Sequence, residues 1–178
     1  MLDKYWAKRE YGAIDPDIYD RERFFLPTDK AMSKVEKQTV AELISKNYKA
    51  EFGKKMQILD VACGHGFLVK YLREGGYGAV GLDFSKYAGS EIPDSFILHD
   101  ARNPLPFDDK TFDVVVSIGF LEHLEEQDID KVYKEMCRVG KVVLAAVGTK
   151  QERITEQTHL TLHDRNWWYK KCPGIKLI

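Results

Sequence analysis

The sequence predicts a single-domain, doubly wound α/β protein built on a mostly parallel sheet. Short apolar segments alternate with amphipathic stretches along the 178-residue chain, and this order is typical of parallel strands joined by helices. One apolar segment, residues 58–61, runs directly into a loop that contains Gly64 and Gly66. Such a loop lets the backbone turn tightly and approach a ligand closely. A chain of this length supports one core, because domains cluster at roughly 100–150 residues.

The periodicity of apolar residues places the individual elements. Strands are predicted at residues 56–61, 79–82, 96–99, 113–118 and 141–147, with a short last strand from residue 174. A first helix is predicted from a cap at Thr28 or Asp29 to about Asn47, and a second over residues 67–74. Further helices are predicted from a cap at Asp128 and from near Asp164.

Polar residues stand where four of the predicted strands end. Asp60, Asp83, Asp100 and Ser117 close the first four strands in turn. In a doubly wound sheet these carboxyl ends share one edge, where ligands bind. Three carboxylates at that edge suit a ligand that carries a ribose and an exposed amine.

A nicotinamide dinucleotide fits this loop poorly. Its fingerprint, G-x-G-x-x-G, would place the third glycine at Val69 if counting starts at Gly64. A branched side chain there keeps the helix from packing closely on the strand. A nicotinamide-linked oxidoreductase therefore stays only as a minor alternative.

Residues 56–147 resemble the class I S-adenosylmethionine-dependent methyltransferases. The stretch DVACGHG is similar to that family's D-x-G-x-G-x-G loop, with Ala62 at the first glycine position, and PFDDKTFDVVVSIGFLEHL is similar to its approach to the fourth strand. The resemblance implies a Rossmann-like methyltransferase fold, S-adenosylmethionine as cofactor and methyl transfer as the activity. Family members carry two more strands after the fifth, whereas one short candidate remains here, so the sheet is expected to lack its last strand.

The resemblance also implies which residues bind the cofactor. Asp60, Ala62, Gly64 and Gly66 would surround the methionine moiety, and Asp83, followed by Phe84, would bind the ribose hydroxyls. Asp100 and Ala101 would contact the adenine, and Ser117 and Ile118 would run past the sulfonium. Asp100 could instead hold the local turn of its own loop. Tyr5 and Trp6, with Arg9, are expected to close over the cofactor as a lid, and the alternative for this entry segment is an amphipathic helix packed on the sheet edge.

These assignments divide the single domain, residues 1–178, into three parts. Residues 1–50 form the lid and helical segment, residues 55–148 the cofactor-binding core, and residues 149–178 a short C-terminal part. The acceptor site is expected to be incomplete in this last part. A homodimer or a partner subunit would complete it.

No catalytic base is fixed by the sequence. Glu122, His123 and His159 are candidates for accepting a proton from the acceptor, although His123 is better explained as a residue at a helix start, packed beside leucines. No metal site is predicted, because His159 and His163 in the alternating HLTLH would lie on one strand face about 13 Å apart. The three cysteines form no CxxC spacing.

Aromatic residues near the C-terminal end are given a structural role. Trp167 and Trp168 are expected to anchor a terminal helix to the sheet. Cys63, although inside the glycine loop, is expected to be a small packed side chain, because the loop offers only His65 as a neighbouring base.

Charge and hydropathy restrict the partners. The 27 basic and 28 acidic side chains nearly cancel, so no global basic field attracts nucleic acid. Methyltransferases that act on amino groups of DNA bases resemble one another in an (N/D)PP(Y/F) stretch where this chain has SIGF, so no DNA substrate is expected. No apolar run reaches about 18 residues, and a cytoplasmic location away from membranes is expected. The acceptor is expected to be a small molecule or a protein, and a catalytically silent S-adenosylmethionine-binding module is the main alternative.

Overall fold

Within residues 34–149 and 159–178, the part of the chain that the computed structural model describes, six parallel strands form one sheet. The strands are β1 Gln57–Val61, β2 Gly78–Asp83, β3 Phe96–Leu98, β4 Phe112–Ile118, β5 Gly140–Ala146 and β6 Lys176–Leu177. The helices are α1 Lys34–Phe52, α2 Phe67–Glu74, α3 Glu126–Val139 and α4 Arg165–Lys171. The strand order is β3-β2-β1-β4-β5-β6. This order reverses at β1, as in a doubly wound sheet, and the predicted fold class is confirmed.

Helices cover both faces of the sheet. On one face, α1 and α2 pack on residues such as Ile58 and Val116. On the other face, α3 and α4 pack on residues such as Leu59 and Val115. Alternate residues of a strand point to opposite faces, so the apolar runs of β1 and β4 supply both cores. This explains why their sequences read as continuous apolar segments.

The predicted strands agree closely with the structure, whereas the end predicted for α1 is wrong. The helix continues past Asn47 to Phe52, because Tyr48 and Phe52 extend its apolar stripe and stack with ring centroids 6.3 Å apart. Gly53 then ends the helix with a left-handed φ of 75° and an N–H donated to the carbonyl of Lys49. The predicted caps Thr28 and Asp29 lie outside the described residues.

One of the two later helix starts was predicted correctly. The carboxylate of Asp164 accepts a hydrogen bond from the N–H of Trp167 at 2.8 Å, which makes it the N-cap of α4. Trp168 is fully buried in the core, so it anchors this helix as predicted. The cap predicted at Asp128 is wrong, because α3 begins at Glu126 and Asp128 lies within its first turn.

The strand β6 is only two residues long. Residues 176 and 177 pair with residues 144 and 145 of β5, in the parallel sense. This places the short last strand near its predicted position and beside β5. No helix of the described residues is long and apolar enough to cross a membrane.

Candidate functional site

Asp60 is a buried carboxylate at the carboxyl end of β1. It lies in register between Gly81 of β2 and Val116 of β4 and is 1% exposed. Neither carboxylate oxygen accepts a hydrogen bond from any part of the chain that the structure describes. Burial raises its pKa to about 7, with Lys37 acting against the shift and Asp83 adding to it. Because a buried charge without donors is costly, this position fits a cationic or hydrogen-bond-donating ligand group.

The loop after β1 turns through left-handed backbone at Gly64 and Gly66. Their φ angles are 56° and 88°, a region that glycine adopts without strain. A Cβ on Gly66 would lie 2.3 Å from the Cγ1 atom of Ile92, whereas a Cβ on Gly64 would meet nothing within 4 Å. Gly66 is therefore required both for its conformation and for the close packing of the loop after β2.

Ala62, at the first glycine position of the loop, also has a left-handed φ, of 63°. A side chain in this region costs roughly 1–2 kcal/mol, while glycine loses more entropy on folding. We expect Ala62→Gly to raise the free energy of unfolding by about 0.5–1 kcal/mol. Urea denaturation measures this effect, and a destabilised variant would contradict the strained backbone.

Asp83 connects the glycine loop to the loop that follows β2. Its Oδ2 accepts a hydrogen bond from the N–H of Gly64, and its Oδ1 accepts one from the N–H of Ser85, both at 3.0 Å. The N–H of Gly89 donates to the carbonyl of Gly64 at 2.8 Å. The two loops are thus fixed to each other at the sheet edge where ligands are expected.

Asp100 is held by its own loop. The backbone N–H of Arg102 donates to its Oδ1 at 2.9 Å, and the guanidinium of Arg102 donates to its Oδ2 at 2.7 Å. Although burial acts to raise it, the hydrogen bonds from Arg102 hold the pKa of Asp100 below its ordinary value. The structure therefore shows Asp100 in its alternative role, in which its carboxylate holds the turn of its own loop. The adenine contacts of Asp100 and of the buried Ala101 stay predictions.

Ser117 and Ile118 end β4 beside the glycine loop. Ser117 lies in register with Val61, is 1% exposed, and its hydroxyl has no hydrogen-bond partner among the described residues. Gly119 then turns the chain with a φ of 66° and donates its N–H to the carbonyl of Ala146 at 2.9 Å. The structure thus brings Ser117 to the same edge as Asp60 and Asp83.

The remaining predicted cofactor contacts fall into two groups. Phe84 follows Asp83 directly and is partly buried. Tyr5, Trp6 and Arg9, the predicted lid residues, lie outside the described residues. Their contact with the cofactor stays a prediction.

Cys63, inside the glycine loop, is 3% exposed. Burial raises the pKa of its thiol well above the ordinary range, and the charges of Asp60 and Asp83 act in the same direction. A thiol in this environment is protonated and is not a nucleophile. The structure supports the packing role expected for it.

Glu122, His123 and His159 come together beyond the end of β4. From the sequence, these three residues are separate candidates for a catalytic base, and the only pairing considered for His159 is with His163. The structure instead places the rings of His123 and His159 with centroids 4.6 Å apart, while His163 stacks on Trp167 at 3.9 Å. The segment 159–163 is not a strand, so the alternating face assumed from HLTLH does not form.

Comparisons with known proteins agree with the resemblance. A family model described as a methyltransferase domain matches residues 59–142. Demethylmenaquinone methyltransferase of Shouchella clausii (strain KSM-K16) is 41% identical over 96 residues, which are 47% of this chain and 40% of that protein. The 18S rRNA (guanine-N(7))-methyltransferase of Bos taurus is 29% identical over 119 residues, 57% of this chain and 42% of that protein. The chain thus spans less than half the length of these curated relatives.

The fold of this chain is also similar to that of a solved structure. The crystal structure of the PH0226 protein from Pyrococcus horikoshii OT3 is 31% identical to this chain, with a TM-score of 0.52. The match covers 70% of this chain and 57% of that one. The similarity therefore extends beyond the segment matched by the family model.

Proposed function

Because this chain belongs to the class I S-adenosylmethionine-dependent methyltransferases, we propose that it transfers the methyl group of S-adenosylmethionine to a small-molecule acceptor. The cofactor of the family is S-adenosylmethionine, as the sequence predicts. The observation that carries the proposal for this chain is the buried carboxylate of Asp60, which no donor of the described residues satisfies. The cationic methionine end of the cofactor suits that position in charge and in hydrogen bonding.

The other residues of the edge fit the rest of the cofactor. Asp83 would accept from the ribose hydroxyls, since each carboxylate oxygen has two acceptor positions. Ser117 and Ile118 would lie along the sulfonium, and Gly64 and Gly66 would leave room for the backbone to approach. The bound cofactor supplies an electrophilic methyl group. The protein orients the acceptor in line with the carbon–sulfur bond and excludes water.

The small-molecule acceptor is supported by charge. The basic and acidic side chains are nearly equal in number, so the chain has no global basic field of the kind that attracts nucleic acid. One relative is named for a quinone acceptor and the other for an rRNA base. The balance of charge favours the first kind of acceptor for this chain.

A transfer assay tests the proposal. The protein is incubated with donor carrying a radiolabelled methyl group, together with a metabolite extract, total RNA or total protein. Label in the metabolite fraction is expected. Label confined to RNA or protein would contradict the small-molecule acceptor. Binding of the cofactor without transfer to any fraction would favour the silent module.

Asp83 provides a second test of the cofactor's position. We expect Asp83→Asn to weaken binding of S-adenosylhomocysteine by about 1–3 kcal/mol, because one ribose hydroxyl then meets an amide N–H in place of an acceptor. Adenine alone, which lacks the ribose, should lose no affinity. Titration calorimetry with both ligands measures the difference, and an equal loss for both would indicate that Asp83 acts only by holding the two loops together.

A further inference from the structure

Two imidazoles and one carboxylate converge beyond the carboxyl end of β4, and we propose that Glu122, His123 and His159 bind a divalent transition-metal ion. One ligand atom from each side chain lies within 4.8 Å of the other two. Ligand atoms of a tetrahedral zinc ion lie about 3.4 Å apart, given metal–ligand distances of about 2.1 Å. Side-chain movements of about 1 Å therefore bring the three atoms to coordination distance.

Glu122 is the fixed member of the group. It is 3% exposed, and its Oε1 accepts a hydrogen bond from the N–H of Gly148, in the loop after β5, at 2.9 Å. A ligating carboxylate is commonly oriented by a hydrogen bond of this kind. The loop after β5 thus holds a carboxylate that belongs to the loop after β4.

Thr161 holds the distant histidine in place. Its N–H donates to the carbonyl of Glu122 at 3.0 Å, and its hydroxyl donates to the carbonyl of Leu124 at 2.8 Å. These two bonds attach the segment that carries His159 to the turn that carries His123. Because Thr161 is 3% exposed, the attachment is shielded from water. The two imidazoles are therefore brought together by hydrogen bonds between two segments that lie far apart in the sequence.

The donor set selects the class of cation. Two neutral imidazoles with one carboxylate suit zinc, iron, nickel and similar first-row divalent ions, whereas calcium and magnesium prefer sets of oxygen ligands. Three protein ligands leave at least one coordination position open. An oxygen atom of a bound molecule can take that position.

The location connects this site to methyl transfer, and this step rests on the proposed function. A Cβ on Gly119 would lie 4.0 Å from the Oε1 of Glu122, so the carboxylate adjoins the end of β4, where the proposed function puts the sulfonium. An acceptor hydroxyl bound to the ion would lose its proton to solvent more readily. Its oxygen then forms the new bond to the methyl carbon while the carbon–sulfur bond breaks and the neutral thioether leaves. The acceptors that suit the site are therefore small molecules with an ionisable hydroxyl.

Zinc titration of chelator-treated protein tests the site in the absence of any methyl donor. The wild type is expected to bind one Zn²⁺ per chain with a matching rise in melting temperature. His123→Ala and His159→Ala should each weaken the binding at least tenfold. Cobalt bound to the wild type should give visible absorption bands of nitrogen and oxygen coordination, a readout that needs no variant.

His163→Ala is the matched control. His163 lies on the same segment as His159 and has its own acidic neighbour, with the Nε2 atom 3.7 Å from the Oε2 of Glu126, yet it belongs to no group of three candidate ligands among the described residues. Its loss should change zinc affinity less than twofold. Wild-type protein without saturable zinc binding, or alanine variants that bind as tightly as wild type, would overturn the metal site and leave the methyltransferase proposal standing.

Discussion

Asp60→Asn is expected to stabilise the ligand-free protein and to weaken its binding of S-adenosylmethionine. The folded-state pKa of Asp60 is raised to about 7 from an ordinary value of 3.8. Above pH 7 the buried charge therefore costs about 4 kcal/mol, since each pKa unit corresponds to about 1.4 kcal/mol. The buried amide that replaces it costs about 1–3 kcal/mol. We expect a net gain of about 1–3 kcal/mol in the free energy of unfolding at pH 8.

The sign of the pH dependence follows from the same shift. A carboxyl whose folded pKa lies above its unfolded pKa destabilises the fold progressively as pH rises from about 4 to about 7. The advantage of the variant should therefore shrink as pH falls and reverse near pH 4, where the cost of the buried amide, about 1–3 kcal/mol, remains without the charge penalty. The affinity of the wild type for the cofactor should rise between pH 6 and 8, because the charged carboxylate binds the cation. The variant should show no such pH dependence and should bind the cofactor at least tenfold more weakly than the wild type at pH 8.

Asp94→Asn is the control for this experiment. Asp94 is exposed, so the same change of charge should alter neither stability nor affinity noticeably. Urea denaturation and titration calorimetry at pH 5 and 8 supply both readouts. Equal stability of Asp60→Asn and wild type at both pH values would contradict a costly buried charge at this position.

Gly66→Ala should be the most damaging single change in the glycine loop. The left-handed backbone makes any side chain cost about 1–2 kcal/mol, and the Cβ would overlap Ile92 at 2.3 Å, which adds about 1–3 kcal/mol for overpacking. We expect a loss of about 2–5 kcal/mol in the free energy of unfolding. Urea denaturation measures it.

Gly64→Ala is the matched control, because Gly64 has a similar φ but open space where the Cβ would stand. It should lose only about 1–2 kcal/mol. The double variant Gly66→Ala/Ile92→Ala should recover part of the loss through coupling between the two positions. Equal costs at the two glycines, with no coupling to Ile92, would show that the clash with Ile92 does not exist.

The strands and the residues at their ends could be predicted because local patterns determine them. Asp60, Asp83 and Ser117 each follow an apolar run, and parallel connectivity brings such ends to one edge. The end of α1 was open to prediction as well, because Tyr48 and Phe52 follow Ile44 at intervals of four residues and Gly53 is a typical helix stop. Asp100 was ambiguous, since a carboxylate before a turn can serve either a ligand or its own loop.

The cluster of Glu122, His123 and His159 could not be predicted from local patterns. His159 stands 36 positions after His123, and the two hydrogen bonds of Thr161 bring them together. The sequence signal that was available, the HLTLH alternation, indicated a strand that does not form. The adjacent pair Glu122 and His123, just after the fourth strand, can be read from the sequence. The third member of the cluster, His159, joins them only through the tertiary fold.

Titration calorimetry of the wild-type protein with S-adenosylmethionine, S-adenosylhomocysteine and NAD tests the central claim most directly. The buried carboxylate of Asp60 and the loop that contains Gly64 and Gly66 predict saturable binding of both adenosyl ligands, with one site per chain, and no binding of NAD. Absence of binding to both adenosyl ligands, or binding of NAD in their place, would contradict it.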